Sequence, residues 1–280
     1  MKLDIAGIDF EATSVGGVET CIEIPSMDLC FDIGRAQVSS VNRRRVLITH
    51  GHMDHMGGIV YHAAARDSTR PKPIYYVPAE NHADVLVLFE TWRRISHDTL
   101  PAEIISCKPG DVLDVGNGRK AHVFRSIHRI PTLGYAISTT KNKLLAEFIG
   151  IPGEEIGRLR KSGVQVTQEI TSLDVAFTGD TVIDVVEREA AVREARVLVI
   201  EATFMEGGVT VENARRHGHI HLDEIIERAE LFQNQKILFT HFSLRHSHRE
   251  IRETLERRLK GTPLEGRCVP LLPPVTEVGS

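Results

Sequence analysis

The sequence predicts an α/β fold of the four-layer αβ/βα sandwich type. Strand-like segments come in runs with helical segments between them, and the two halves of the chain show the same style. The first fifty residues alone contain four short apolar or alternating segments, which are separated by Gly16–Gly17, by Pro25–Ser26 and by Gly34. Periodicity alone would equally allow other α/β folds.

The individual elements follow from the spacing of the apolar residues. Val85, Leu88, Phe89 and Trp92 recur at helical spacing and predict a long helix in the first half. Short apolar runs bounded by Gly, Pro or polar residues predict strands. The predicted strands are residues 10–17, 18–25, 27–34, 44–50, 73–78, 104–106, 121–126, 134–139, 173–180, 195–203 and 235–243. The predicted helices are residues 57–67, 79–96, 185–195, 222–232 and 248–259.

The composition is that of an ordinary globular protein. Of the 280 residues 41% are hydrophobic and 26% are charged, which argues against a disordered or fibrous chain. No apolar run approaches the roughly 18–20 residues that span a bilayer, so we expect no membrane association. Asp4, Asp9 and Glu11 do not fit a signal peptide, and we therefore expect a cytoplasmic location. The net charge of −4 argues against general affinity for nucleic acid but allows a local basic patch.

The four cysteines lie far apart in the sequence and form no CxxC pair. This pattern predicts small buried side chains in a reducing compartment, and it does not fit a zinc knuckle or a disulfide framework. The cysteines are Cys21, Cys30, Cys107 and Cys268.

Four apolar strands end in residues that can bind metal. His50 follows VLIT, Asp180 follows VAFTG, Glu201 follows LVI and His241 follows ILFT. In α/β proteins, functional sites gather beyond the carboxyl ends of the strands, where loops converge. We therefore expect the four side chains to share one site.

The segment THGHMDHMGG places His50, His52, Asp54 and His55 within six residues. Two histidines two residues apart, directly after a strand, can bind the same ion. Asp54 and His55 lie where the chain turns into a helix and can face a neighbouring ion. A mixture of imidazole and carboxylate ligands suits zinc. A histidine-rich surface loop is the alternative, but the strand before the motif and the glycines after it favour a metal site.

The HxHxDH motif resembles the signature of the metallo-β-lactamase superfamily, and further ligands expected from that resemblance occur in the expected order. The third histidine is His128 in FRSIHRIP, the bridging carboxylate is Asp180 in FTGD, and the last histidine is His241 in LFTH. The resemblance implies the metallo-β-lactamase fold and two zinc ions. One ion would be held by His50, His52 and His128, the other by Asp54, His55 and His241, with Asp180 between them. Five other histidines are expected to be solvent-facing or surface helical residues: His62, His82, His97, His122 and His248.

Within the superfamily, the chain is similar to the tRNase Z family, and to its short form in particular. The segment SVGGVETCIEIPSMDLCFDIG, the words EATF and GHIH and the segment THFSLR match family words in the family's order. This resemblance covers essentially the whole chain. It implies a zinc-dependent endoribonuclease that removes the 3′ trailer of precursor tRNA, and it suggests a homodimer.

The resemblance also implies roles for three site residues. Asp54 would bind metal and take up the proton of the attacking water, and His219 would protonate the departing 3′ oxygen. Glu201 could orient the imidazole of His219. The alternatives are that His219 caps the following helix or lies on a solvated surface, and that Glu201 is a buried, hydrogen-bonded carboxylate.

The expected tRNA contacts are weaker. Residues 1–280 are expected to form one domain, with a short helical insertion near 141–172 that could contact tRNA. Arg158, Arg160 and Lys161 in this insertion are candidate phosphate ligands, although a solvated helix explains them equally well. Arg245, just after the last ligand, is the better candidate. Arg43, Arg44 and Arg45 fit a solvent-exposed turn.

Two other classes of function compete with the tRNA nuclease. The first is a hydrolase of the same superfamily that acts on a small phosphodiester, a thioester or a lactone. His219 and the EATF word argue against it, because a thioesterase has no obvious need for them. The second is a binding or scaffold protein on a decayed metal fold. The complete set of ligands argues against that class.

Overall fold

The computed structural model describes residues 1–66 and 70–273, and these residues form two seven-stranded sheets. The first sheet has the order β1 to β7, and its strands are β1 Lys2–Ile5, β2 Ile8–Val15, β3 Glu19–Ile24, β4 Leu29–Phe31, β5 Arg45–Leu47, β6 Ile74–Pro78 and β7 Glu103–Cys107. The second has the order β14 to β8, and its strands are β8 Val112–Gly116, β9 Arg119–Ser126, β10 Thr132–Leu144, β11 Thr167–Phe177, β12 Val197–Glu201, β13 Lys236–Thr240 and β14 Cys268–Pro270.

The two sheets share one plan. In each sheet the first four strands pair antiparallel, and the last three pairings are parallel. β2 alternates between buried and more exposed positions, as expected for a strand with one covered face. By contrast, β6 and β12 are buried at every position, because helices cover the outer face of the parallel part.

Helices cover the outer face of each sheet. Those on the first sheet are α1 Met53–Met56, α2 Ile59–Ala65 and α3 His82–Ser96, and the later helices are α4 Gly153–Lys161, α5 Asp184–Arg188, α6 Ala190–Glu194, α7 Val211–His217, α8 Leu222–Glu227 and α9 His248–Leu259. One buried cluster, which includes Phe31 and Tyr135, fills the space between the sheets, and two others lie between a sheet and its helices. The predicted four-layer sandwich is therefore confirmed.

Several helices are shorter than the periodicity predicts. The helix expected over 185–195 is divided at Glu189 into α5 and α6, because Glu189 has an extended backbone with φ −107° and ψ 108°. The helix expected over 222–232 ends at Glu227 and is followed by a 3-10 turn, Ala229–Leu231. The helix expected over 57–67 is α2, and residue 67 lies outside the described residues.

The segment expected to be a helical insertion, residues 141–172, is helical only in its middle. β10 continues to Leu144 and pairs with β11 from Thr167 onwards, so both ends of the segment belong to a long hairpin. The backbone hydrogen bonds between β10 and β11 account for this difference, because they pair the backbone N–H and C=O groups of both ends of the segment. The spacing of apolar residues within the segment cannot predict this pairing. The helical part that remains is α4, with a 3-10 turn at Ala146–Phe148 before it.

The hairpin carries α4 away from the start of β10. β10 has 13 residues, and at about 3.3 Å per residue its ends are roughly 40 Å apart. His128 precedes the start of β10 and Asp180 follows the end of β11, so both lie at one end of the hairpin. α4 lies at the other.

Two further observations concern the cysteines and the membrane. All four cysteines are free; Cys21, Cys30 and Cys107 are buried and Cys268 is half-buried. Over the described ranges, 1–66 and 70–273, no helix combines the length and the apolar character that crossing a membrane requires.

Candidate metal centre

The candidate ligands come together at one edge of the sandwich. They lie in the loops after β5, β11 and β13 and in the connection between β9 and β10. The parallel strands deliver their carboxyl ends to this edge, which is where convergent sites form in α/β folds. The atoms of the expected ligands form two groups, and within each group all ligand atoms lie within 4.8 Å of one another.

The first group surrounds the Nε2 atom of His50. This atom lies 3.0 Å from Nδ1 of His52 and 3.7 Å from Oδ2 of Asp180. The ring of His128 lies 5.2 Å from that of His50 and 5.1 Å from that of His52, measured between centroids. Three imidazoles and one carboxylate therefore face a common point.

The second group consists of Asp54, His55 and His241. Oδ2 of Asp54 lies 3.4 Å from Nε2 of His241 and 3.5 Å from Nε2 of His55. Asp180 lies 3.4 Å from the same nitrogen of each histidine, so its carboxylate faces both groups. The structure thus brings together, in two groups, the seven residues that the sequence singles out as ligands.

The hydrogen bonds of the Nδ1 atoms, which face away from the site, show that the Nε2 atoms, which face it, carry lone pairs. Nδ1 of His55 donates to the carboxylate of Asp32 over 2.7 Å, and Nδ1 of His128 donates to the carbonyl of Gly218 over 2.8 Å. Both partners can only accept, so each ring carries its proton on Nδ1. Their Nε2 atoms are buried and have no hydrogen-bond partner within the described part of the chain.

The threonine hydroxyls next to the other two rings fix the same tautomer. Thr49 donates its hydroxyl to Asp32 and therefore accepts from Nδ1 of His50, which is 2.9 Å away. Thr203 donates to Glu201 and accepts from Nδ1 of His241, also 2.9 Å away. Four Nε2 lone pairs therefore face the site. Buried lone pairs without donors are costly unless they bind a cation, so the donor set fits divalent metal.

Asp32, Thr49 and Thr203 contact the candidate ligands, and the sequence patterns did not single them out. Asp32 is fully buried and has a left-handed backbone, with φ 58°. It accepts from the backbone N–H of Thr49 over 2.7 Å and from the ring of His55. The FDIG segment pointed to Asp32, but the segment alone did not show which residues Asp32 contacts.

The carboxylates of the site stay ionised in this environment. Burial would raise the pKa of Asp180, but His241 and His55 hold it well below its usual range. Burial also opposes the ionisation of Asp54, but the neighbouring imidazoles of His241 and His55 lower its pKa. The backbone N–H of Gly17 donates to Oδ2 of Asp54 over 3.0 Å and helps to fix it.

His219 lies beside the ligands and is held by Glu201. Its Nδ1 lies 3.1 Å and 3.2 Å from the two oxygens of that carboxylate and 4.0 Å from Asp180. Glu201 also accepts from the backbone N–H groups of Thr181 and Ile220, which fix its orientation. Burial lowers the pKa of His219, but the charge of Glu201 outweighs burial and raises it to about 9.

The alternative interpretations of this pair can be compared with the geometry. The residue that caps α8 is His221, whose Nδ1 accepts from the backbone N–H of Asp223, and not His219. The side chain of His219 is 13% exposed, which does not fit a solvated surface. Glu201 is buried and hydrogen-bonded, as its alternative proposes, and it also contacts His219. One further grouping, Asp180, His219 and His241, could also hold an ion, in which case Nε2 of His219 would be the ligand.

The remaining histidines lie outside these groups. The expectation that His62 is a surface residue is wrong, because His62 is fully buried against the hydroxyl of Tyr75 and the carbonyl of Ser40. His122 contacts Ser138, and His82 contacts the carbonyl of Ile104. His97 ends α3 and His248 begins α9.

The basic residues that are candidate phosphate ligands lie in two different parts of the structure. Arg245 is exposed in the turn four residues after His241. Arg158, Arg160 and Lys161 are exposed on α4, at the end of the hairpin remote from the ligands.

A family model, the beta-lactamase superfamily domain, matches residues 34–242 of the chain. The matched range contains all seven residues of the two ligand groups.

Two plant proteins resemble the chain over most of its length. The tRNase Z TRZ1 of Arabidopsis thaliana is 40% identical over 96% of this chain and 96% of its own length. The chloroplastic tRNase Z TRZ2 of the same plant is 35% identical over 90% of this chain and 72% of its own length.

Solved structures share the fold at low sequence identity. The short form of human tRNase Z matches with a TM-score of 0.59 and 17% identity, over 84% of this chain and 93% of the human chain. The metallo-beta-lactamase fold protein YhfI of Bacillus subtilis matches with a TM-score of 0.58 and 16% identity, over 87% of this chain and 89% of its own. Given the family model and the extent of the likeness to TRZ1, the chain belongs to the tRNase Z family of the beta-lactamase superfamily.

Proposed function

We propose that the protein is an endoribonuclease that removes the 3′ trailer of precursor tRNA and leaves a 3′-hydroxyl on the tRNA. The observation that carries this proposal is the 40% identity to TRZ1 over 96% of both chains, in a protein whose metal ligands converge on one edge. The contact between His219 and Glu201 beside the ligands supports the same chemistry.

We infer that the cofactor is a pair of zinc ions. His50, His52 and His128 would hold one ion, Asp54, His55 and His241 would hold the other, and Asp180 would face both. Imidazole-rich sets with a few carboxylates suit zinc better than calcium or magnesium, which prefer oxygen ligands. When bound, two such ions supply an activated water at neutral pH and stabilise the charge that develops on the phosphate.

The side chains of the protein then move the protons. Asp54 is ionised and lies between His55 and His241, so its carboxylate can take up the proton of the attacking water. His219 carries a proton at neutral pH. Its Nδ1 is engaged by Glu201, which leaves Nε2 to donate a proton to the departing 3′ oxygen. Glu201 is a positioning residue, because it acts on the substrate through His219.

The two sets of basic residues would contact different parts of the RNA. Arg245, which is exposed four residues after His241, would bind a phosphate next to the metal centre. Arg158, Arg160 and Lys161 lie on α4, which follows the end of β10 remote from that edge, so they would bind the body of the tRNA. In a dimer, these three residues would equally bind the body of a tRNA that is held at the metal centre of the other subunit.

We propose that this second subunit docks on the helices of the first sheet. Met53, Tyr61 and Trp92 on α1, α2 and α3 are 78%, 66% and 43% exposed and line an apolar groove, and Ile95, also on α3, is 61% exposed. Apolar side chains exposed to this extent on neighbouring helices are typical of an interface. Sedimentation analysis tests the proposal: a monomeric wild type, or an unchanged dimer in Ile95→Lys, contradicts it.

We also infer that residues 1–280 form one domain, since the two sheets share the core around Phe31 and Tyr135. Residues 274–280 lie outside the described residues. The free cysteines support a reducing compartment, and we propose the cytoplasm. Cell fractionation that finds the protein in another compartment contradicts this location.

The activity is tested by incubating the purified, zinc-loaded protein with a 3′-extended tRNA precursor and mapping the cut. A single cut at the 3′ end of the tRNA, with a 3′-hydroxyl on the tRNA fragment, is the expected result. His219→Ala and Asp54→Ala should be nearly inactive. Hydrolysis of small phosphodiesters, thioesters or lactones without any cut in the precursor contradicts the proposal.

A further inference from the structure

A cleft opens beside His128 at the edge of the sandwich that carries the ligands. It has a volume of about 310 Å³, and the end of β9, the start of β10 and the connection between them form most of its wall. Arg125 and Arg129 line this cleft, and Glu80 is the one acid among the lining residues that the structure describes. The cleft therefore carries a net positive charge in a chain whose total charge is −4.

Both guanidinium groups are available to a ligand. Arg125 and Arg129 are exposed, and neither side chain forms a hydrogen bond or an ion pair with another residue in the described ranges. Other arginines of the protein are engaged; Arg43 pairs with Glu23 over 3.1 Å, for example. A guanidinium without an internal partner, in a concave site, is suited to bind a planar or tetrahedral anion through paired hydrogen bonds.

The position of the cleft ties it to the catalytic edge. Arg129 follows the ligand His128 directly in sequence, and the ring of His128 lies 5.1 Å from that of His219. The loop that carries His219 also packs against this segment. A Cβ atom placed on Gly218 would lie 3.2 Å from the backbone nitrogen of Arg129. The cleft therefore lies next to the ligands, within reach of an RNA strand whose scissile phosphate is placed there.

We propose that the cleft of Arg125 and Arg129 binds a phosphate of the RNA next to the scissile one. This inference rests on the proposed function and adds a second phosphate site to it. The phosphate could come from the 3′ trailer or from the tRNA side of the cut, and the chemistry of recognition is the same for both. Arg245 follows β13, whereas this cleft lies beside β9, so the two sites lie at different positions along the sheet edge.

The test compares a double variant, Arg125→Gln with Arg129→Gln, with a matched control, Arg249→Gln. Arg249 is exposed on α9 and lies outside the cleft. All proteins are zinc-loaded, and thermal unfolding and zinc content are measured first. With 3′-extended precursor tRNA, the KM of the double variant should rise by about 10-fold to 100-fold, as expected for lost charged hydrogen bonds. Its kcat should stay within about twofold of the wild type, because the reacting groups are intact.

Salt dependence gives an independent readout. The slope of log(kcat/KM) against log salt should become flatter by about one, since one phosphate contact is lost. The affinity for tRNA without a trailer, which is not cut, is measured by fluorescence anisotropy. If the phosphate belongs to the trailer, this affinity is unchanged in the double variant. If it belongs to the tRNA side, the affinity falls as much as the KM rises.

Two failures can be told apart. If the wild type cuts the precursor and the double variant matches Arg249→Gln in KM and in salt slope, the arginines are solvated surface and the inference is overturned. If the wild type does not cut the precursor, the proposed function fails and the inference fails with it.

Discussion

The carboxylate of Glu201 lies 3.1 Å from Nδ1 of His219 and raises the pKa of this imidazole beside the candidate metal ligands. The same carboxylate accepts the hydroxyl of Thr203, which in turn accepts from Nδ1 of the ligand His241. Glu201 therefore connects the proposed proton donor with the candidate metal centre. A substitution of Glu201 should affect both, whereas a substitution of His219 should affect only proton donation.

The first prediction concerns metal content. The wild type, reconstituted with zinc and freed of excess, should contain about two ions per chain. Asp180→Ala should contain one ion or none, because its carboxylate faces both ligand groups. Elemental analysis gives the stoichiometry, and His122→Ala, whose ring contacts Ser138 outside the groups, is the control. A wild type without zinc, or Asp180→Ala with the full content, contradicts the two-ion proposal.

The second prediction concerns Asp32. Asp32→Asn keeps the size of the side chain but removes the charge that holds the Nδ1 proton of His55 and orients Thr49. Zinc affinity should fall by roughly 10-fold to 100-fold, as is typical when a group that orients a metal ligand is lost. Chelator competition measures this affinity. Asp114→Asn, at an exposed position, should bind zinc like the wild type. Equal affinities in both variants would mean that Asp32 only supports the fold.

The third prediction concerns the basic end of α4. Reversing Arg158, Arg160 and Lys161 to Glu should weaken the binding of precursor tRNA and flatten its salt dependence by about two. Cleavage of a small chromogenic phosphodiester should fall far less, because α4 lies at the remote end of the hairpin. Arg249→Glu with Arg252→Glu is a charge-reversal control on α9. Equal losses on both substrates would indicate misfolding, and no loss on either would leave α4 as solvated surface.

The fourth prediction concerns the pH dependence of stability. Burial lowers the pKa of His62 to about 4, whereas the unfolded chain should show the ordinary value of about 6.5. The folded state therefore binds this proton less readily, and its stability is full above pH 6.5 and is lost as the pH falls towards 4. At about 1.4 kcal/mol for each pH unit, the loss between pH 7 and pH 5 should be roughly 2 kcal/mol.

Urea unfolding at the two pH values measures this loss. His62→Gln cannot titrate, so its free energy of unfolding should fall by roughly 2 kcal/mol less than that of the wild type over this range. His97→Gln, at an exposed position, should behave like the wild type. A loss of the same size in all three proteins would assign the pH dependence to other groups.

The sequence predicted the layers and the ligands because both depend on local patterns. The strands that end in His50, Asp180, Glu201 and His241 are short apolar runs, and their ends are visible in the chain itself. The groups that hold the ligands could not be predicted in the same way. Thr203 and His241 are 38 residues apart, and His128 and Gly218 are 90 residues apart, so only the folded chain shows that they pair.

The segment 141–172 shows the same limit for secondary structure. Its residues at both ends are exposed and polar, and no local spacing distinguishes an exposed helix from the projecting part of a hairpin. Pairing between Leu144 and Thr167 decides the structure, and this pairing depends on residues that are far apart in sequence. The charge of the segment was predictable, but its place at the remote end of the hairpin was not.

The last prediction separates the two proton-transfer residues, beginning with Asp54. Asp54→Ala removes a carboxylate that lies 3.4 Å from His241 and 3.5 Å from His55. Activity should collapse together with part of the zinc content. Among the described residues, Asp180 is then the only carboxylate left to the second ligand group. Zinc analysis and precursor cleavage are measured on the same preparation.

His219→Ala should behave differently, because His219 lies outside the two ligand groups and is held by Glu201. It should retain both ions and bind tRNA nearly normally, but cleave precursor tRNA by roughly 10²–10⁴-fold more slowly, as expected for a lost general acid. The loss should shrink for a nitrophenyl phosphodiester, whose leaving group departs without a proton. The decisive quantity is the loss on tRNA divided by the loss on the nitrophenyl ester, with His217→Ala, at the exposed end of α7, as the control. A ratio near one would make His219 a structural residue, and a loss of zinc would make it a ligand. The ratio separates these roles from that of a proton donor, because a proton donor alone is dispensable when the leaving group is already stable as an anion.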